Sequence, residues 1–198
     1  MKKTFLLAIA AGTLFFASCG SGNTSGEDPV DSAKDVNDMK DTSSMSSNEP
    51  MSTTPVDKDA ADFAVEAASG GMMEVELGKL AQEKAADQRV KDFGAMMVKD
   101  HSAANDKLKA IATAKNITLP AEMGDKHKKH VEDLAKKTGK DFDKAYMDMM
   151  VDDHEEDVKK FEDAAEKCKD ADLKAFATET LPTLRTHLDA AKAIDDKK

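Results

Sequence analysis

From about residue 58 onward, apolar residues recur in steps of three and four, the period of one face of an α-helix and not the alternation of a strand. Residues 59–85 place Phe63, Ala67, Gly70, Glu74, Leu77 and Ala81 on one face, and residues 88–115 align Val90, Phe93, Met97, His101, Ala104, Leu108 and Ile111. Asn116 is a stop signal, and Leu119-Pro120 disfavours further helix. A connector helix over 121–137 has only a thin stripe of Met123, Val131 and Leu134, ended by Gly139. Residues 141–168, with Asp141 as the expected N-cap, align Met147, Met150, Val151, His154, Val158, Phe161 and Ala165. Residues 171–194 align Leu173, Ala177, Leu184, His187, Ala191 and Ile194, and Pro182 is expected to interrupt and kink that helix. The pattern predicts an all-α domain over 58–198: two helical hairpins joined by a connecting helix.

Four ionisable residues interrupt the apolar stripes, one in each long helix: Glu74, His101, His154 and His187. Glu74 and His101 are nearly equidistant from the turn near 87–88, roughly 20 Å at about 1.5 Å rise per residue. His154 and His187 stand at one level in the second hairpin, roughly 25 Å from its turn. In helices about 40 Å long the two levels nearly coincide for either up-down or crossover topology. The quartet is therefore expected to converge inside a four-helix bundle.

The N-terminus has a different pattern. Met1-Lys2-Lys3 followed by the apolar run Thr4 to Phe15 reads as an export signal, too short for a transmembrane span. It ends in Phe16-Ala17-Ser18-Cys19, similar to a bacterial lipobox, so residues 1–18 are expected to be removed and Cys19 lipidated. Gly20 after Cys19 favours the outer over the inner membrane, facing the periplasm. Residues 19–57, rich in Ser, Thr, Gly, Asp and Pro, show no sustained apolar period and read as a flexible tether.

Charge and cysteine content narrow the function. The chain has a formal net charge of -10, which argues against nucleic acid as a partner. Of its 2 cysteines, lipidated Cys19 leaves only Cys168, so no internal disulfide is expected and Cys168 reads as a small residue on a helix face. Catalytic triads, phosphate loops and Cys-x-x-Cys pairs are absent from the sequence. An enzyme is the less favoured class, and protein partners and oligomeric state are left open.

Three imidazoles and a carboxylate suit a divalent transition metal such as zinc, iron or copper. Asp100 and Asp153 precede their histidines and, with Tyr146, are candidates to orient the ligands; a solvated surface charge is the alternative for the aspartates. A metal-free polar network centred on Glu74 is an equal reading of the quartet. A carboxylate-bridged di-iron oxidase is disfavoured, because Val98, Val151 and Leu184 stand where a Glu-x-x-His motif would need glutamate. The Met72-Met73, Met96-Met97 and Met149-Met150 doublets could favour copper but at helical spacing read as core, and His127 and His130 on the connector read as exposed.

Several motifs recur in order: Glu74-Val75-Glu76-Leu77-Gly78-Lys79-Leu80-Ala81, Val90-Lys91-Asp92-Phe93-Gly94, Met97-Val98-Lys99-Asp100-His101, Phe142-Asp143 with Tyr146, Asp153-His154, and Leu181-Pro182-Thr183-Leu184 with His187. Together they resemble the bacterial family called domain of unknown function 4142 (DUF4142). The resemblance implies a ferritin-like, exported or envelope-associated domain without an assigned activity, with recurrent positions at Glu74, His101, Tyr146, His154, Pro182 and His187. The expected function is thus an envelope lipoprotein whose ferritin-like bundle binds a transition metal for sequestration, sensing or stress protection. The alternative is a metal-free structural or protein-interaction module, and a metal-dependent redox enzyme ranks third.

Overall fold

Asp57 and Asp87 each begin a long helix by accepting a hydrogen bond from a free backbone amide, Ala60 N at 3.3 Å and Arg89 N at 2.8 Å. The computed structural model describes residues 27–44 and 56–195, all-helical with no strand among them. The expected export signal, Cys19 and the tether residues 19–26 and 45–55 lie outside the described residues. The six helices are α1 (Pro29–Ser44), α2 (Lys58–Lys84), α3 (Gln88–Ala114), α4 (Asp125–Ala135), α5 (Gly139–Lys167) and α6 (Ala171–Asp195). No helix among the described residues is long and apolar enough to cross a membrane.

Two local expectations need correction. Asp141 is not the N-cap of α5; Thr138 holds that position, and Asp141 lies in the first turn, where its charge complements the helix dipole. Pro182 does not break α6, which runs through it as one helix. Asn116 does end α3, with φ of 56°, a left-handed conformation that asparagine tolerates better than most residues.

Helix α2 packs on α3 and α5 on α6, while α3 also packs on α6 and α2 on α5, so the four long helices close a ring. Polar contacts at the two ends of the ring set its direction. The Asp143 carboxylate near the start of α5 accepts hydrogen bonds from Ala86 N and Asp87 N in the α2–α3 turn, both at 2.9 Å. At the other end Lys115, just past α3, pairs with Asp170 in the α5–α6 turn at 2.7 Å. Helices α3 and α5 therefore run the same way, and residues 115–138 carry the chain back along the ring. The sequence left up-down and crossover topologies open; the observed path is the crossover.

Within the stretch 19–57, read from the sequence as a flexible tether, residues 29–44 form helix α1. It has few apolar residues to bury and docks through polar ones. Buried Asn37 makes a paired contact with Thr118, donating from Nδ2 to the carbonyl at 2.9 Å and accepting from the backbone amide at 2.7 Å. Lys40 donates to Asn116 O at 2.8 Å, and Asp28 accepts from both Val30 N and Asp125 N at 2.8 Å. The Lys34–Glu66 ion pair ties α1 to α2.

The interior divides into two apolar clusters. One gathers Ala61, Ala64, Leu108, Phe161, Phe176 and Leu184; the other Met73, Leu77, Met97, Phe142, Tyr146 and Met150. Helices α2 and α3 touch backbone to backbone beside the second cluster: a Cβ on Gly78 would lie 2.6 Å from Gly94 O. That oxygen belongs to a helix and cannot yield as a flexible side chain would. Gly78→Ala is expected to destabilise the fold by about 1–3 kcal/mol, the usual range for overpacking, measured by urea unfolding at unchanged helix content.

Candidate metal centre

Between the apolar clusters, on four different helices, lie Glu74, His101, His154 and His187, with exposures of 1%, 5%, 0% and 1%. The structure brings all four expected residues together. Ring centroids of the histidines are 5.2–5.7 Å apart, and one nitrogen from each falls within 4.8 Å of the others. Glu74 lies against two of them, with Oε2 2.6 Å from His101 Nδ1 and Oε1 3.4 Å from His154 Nε2. The shorter contact is off the axis of a hydrogen bond, so both carboxylate oxygens are buried without an aligned donor.

The outer hydrogen bonds determine which imidazole nitrogens face inward. His154 Nδ1 lies 2.9 Å from Met150 O, which can only accept, so the proton is on Nδ1 and the lone pair on Nε2. His187 Nε2 lies 3.1 Å from Asp100 Oδ2, which places its proton toward the carboxylate and leaves a lone pair on Nδ1. These two unprotonated nitrogens, His154 Nε2 and His187 Nδ1, stand 3.4 Å apart. Two neutral imidazoles in these tautomers do not hydrogen-bond to each other; their facing lone pairs can share a cation or a proton. Two ligands on one tetrahedral ion, at bonds of about 2.0–2.1 Å, stand roughly 3.3–3.4 Å apart, matching this pair and the His154–Glu74 separation. His101 adds a buried Nε2 with no partner.

Burial tunes the same groups. It pulls His154 down to about 3, assisted by His101 and His187, and His101 down to about 4, opposed by Asp157 and Asp100. His187 is also lowered by burial, opposed by the hydrogen bond it donates to Asp100. The imidazoles are thus neutral at ordinary pH, the form that binds metal. Burial pushes Glu74 up to about 8, with Lys160 opposing weakly.

The three residues considered as orienting partners take different places. Asp100 holds His187 as expected. Asp153 is only half-buried, but its Oδ2 is enclosed without a partner, and the carboxylate comes within 4.8 Å of donor atoms of Glu74 and His154. Reading it as a solvated surface charge is therefore incorrect. Tyr146 is fully buried, stacks on Phe142 at 5.5 Å and has an unpartnered hydroxyl. Burial and the nearby Glu74 charge push its pKa above the usual range.

Asp157 and Lys160 were missed. Asp157 follows Asp153 by one helical turn and feels the charges of Glu74 and His101, while Lys160 acts on all three carboxylates. The four-residue step from Asp153 and the three-residue step to Lys160 were a readable signal, hidden in an acidic run whose Asp152 and Glu156 are exposed. His127 and His130 are half-buried, contrary to expectation, and His127 Nδ1 lies 2.7 Å from Ser69 Oγ. Neither joins the quartet. Met73, Met97 and Met150 belong to the apolar cluster, as the core reading of the doublets expected.

The family model described as domain of unknown function (DUF4142) matches residues 45–194. The chain belongs to this DUF4142 family. No curated protein and no solved structure matches it. The match takes in all four quartet residues, Tyr146 and the aspartates beside them, but DUF4142 carries no assigned activity that could be transferred to them.

Proposed function

We propose that this DUF4142 chain is an envelope lipoprotein, anchored through lipid on Cys19 in the outer membrane and facing the periplasm. Its ferritin-like four-helix bundle binds one divalent transition ion for sequestration, sensing or stress protection. Glu74, His101, His154 and His187 are the ligands. The address rests on the sequence of the first nineteen residues. The ferritin-like assignment draws support from the single long crossover between two antiparallel hairpins, a connection used by that group of bundles.

The observation that carries the metal reading is the pair of inward lone pairs on His154 Nε2 and His187 Nδ1, 3.4 Å apart, each fixed by a hydrogen bond on the far side of its ring. A second reading, a metal-free polar core, is favoured by the burial that pushes Glu74 up to about 8, which lets its carboxyl carry a proton for the histidines at neutral pH.

Elemental analysis of the full chain, purified without chelator and again after dialysis against zinc, separates the two. The expected result is close to one ion per chain, lost in a His101→Ala/His154→Ala double variant. Absence of metal in both preparations would leave a structural network and overturn the proposal.

A further inference from the structure

A centre sealed above and below by apolar clusters needs a route for its ion. A narrow cleft between α2, α4 and α5, with room for about one water molecule (about 20 Å³), is lined by Glu66, Lys126, His127, Asp153, Asp157 and Lys160. Asp153 both lines this cleft and brings its carboxylate within 4.8 Å of the Glu74 and His154 donor atoms. Asp157 lies one turn further along the same face of α5. Glu74, 1% exposed and with no aligned donor on either oxygen, is the buried acceptor at the inner end. On the α3–α6 side the His187 ring is 1% exposed and donates to Asp100 at 3.1 Å.

Resting on the metal reading above, we infer that cations enter through this cleft and that Asp157 and then Asp153 relay them to Glu74. A hydrated divalent ion cannot pass so narrow an opening intact, and it sheds water where protein ligands take its place. Asp157 and Asp153 supply those ligands in sequence. Lys160, paired with Glu156 at 2.9 Å, holds a competing positive charge at the cleft and acts as the counter-ion before the metal arrives.

Cobalt(II) alone is the probe, because tetrahedral coordination gives it visible absorption that stopped-flow mixing can follow on the full chain. Asp157→Asn is expected to slow loading about tenfold, the lower end of electrostatic effects on entry, and to reach the same final absorbance. Lys160→Gln is expected to speed it. Asp152→Asn, the same charge change on the exposed face of α5, is expected to leave the rate unaltered. Wild-type rates in both Asp157→Asn and Lys160→Gln would overturn the entry route and leave the metal centre standing. A reduced endpoint in Asp157→Asn would make Asp157 a ligand and overturn its relay role. Failure of the wild type to take up cobalt would remove the centre and the route together.

Discussion

Zinc in thousandfold excess over its dissociation constant is expected to stabilise the full chain by about 4 kcal/mol, raising Tm on the order of 10 °C. The reason lies in how the quartet is built. Hydrogen bonds donated to Met150 O and to the Asp100 carboxylate already aim His154 and His187, and packing on both sides fixes their rings, so little ordering remains to oppose binding. The histidines are neutral at pH 7, so they need lose no proton. His154→Ala removes the nitrogen that stands 3.4 Å from both His187 and Glu74, and zinc is expected to shift its Tm by a small fraction of the wild-type change. Differential scanning calorimetry with zinc and with EDTA gives both numbers. An equal zinc-induced shift in wild type and His154→Ala would place the ion elsewhere on this acidic chain.

The long helices were legible because each buries an apolar stripe, and a stripe is a local property of the sequence. Helix α1 was not, because Asn37, Lys40 and Asp28 dock it on backbone groups of the α3–α4 connection and the first residue of α4. Polar docking leaves no period to read. Topology was also beyond local pattern. The 115–138 connection suits either path, and the choice is expressed in long-range contacts, Asp143 with the α2–α3 turn and Lys115 with Asp170.

The site divides in the same way. Glu74, His101, His154 and His187 could be found because they occupy positions where the stripe demands apolar residues. Asp153 sits one residue off the stripe, at its border, where the same side chain is equally at home in water. Its role depends on α2 and α4 covering that border, which nothing within α5 reveals. Tyr146 falls in the stripe region yet looks like ordinary core, since only its hydroxyl distinguishes it from Phe142.

Glu74→Gln is expected to stabilise the metal-free chain while abolishing its response to zinc. Glu74 has an ordinary pKa near 4.5 when unfolded and about 8 when buried, so between those values the folded state holds a proton that the unfolded state has lost. A raised carboxylate favours the fold fully below about pH 4.5 and loses that contribution as pH rises toward 8. At pH 7 the accumulated cost is about 3 kcal/mol, an upper figure since Asp153, Asp157, His101, His154 and Lys160 all adjust around it. Glutamine keeps the shape and an acceptor for the histidines but has no charge to desolvate. The stability difference between Glu74→Gln and wild type, both in EDTA, is therefore expected to be small at pH 4 and to grow toward 3 kcal/mol at pH 7, measured by urea unfolding. A constant difference would show that Glu74 keeps its ordinary pKa in the folded chain. A growing one identifies a carboxylate held at a cost to the fold, of a kind that binding a cation would offset.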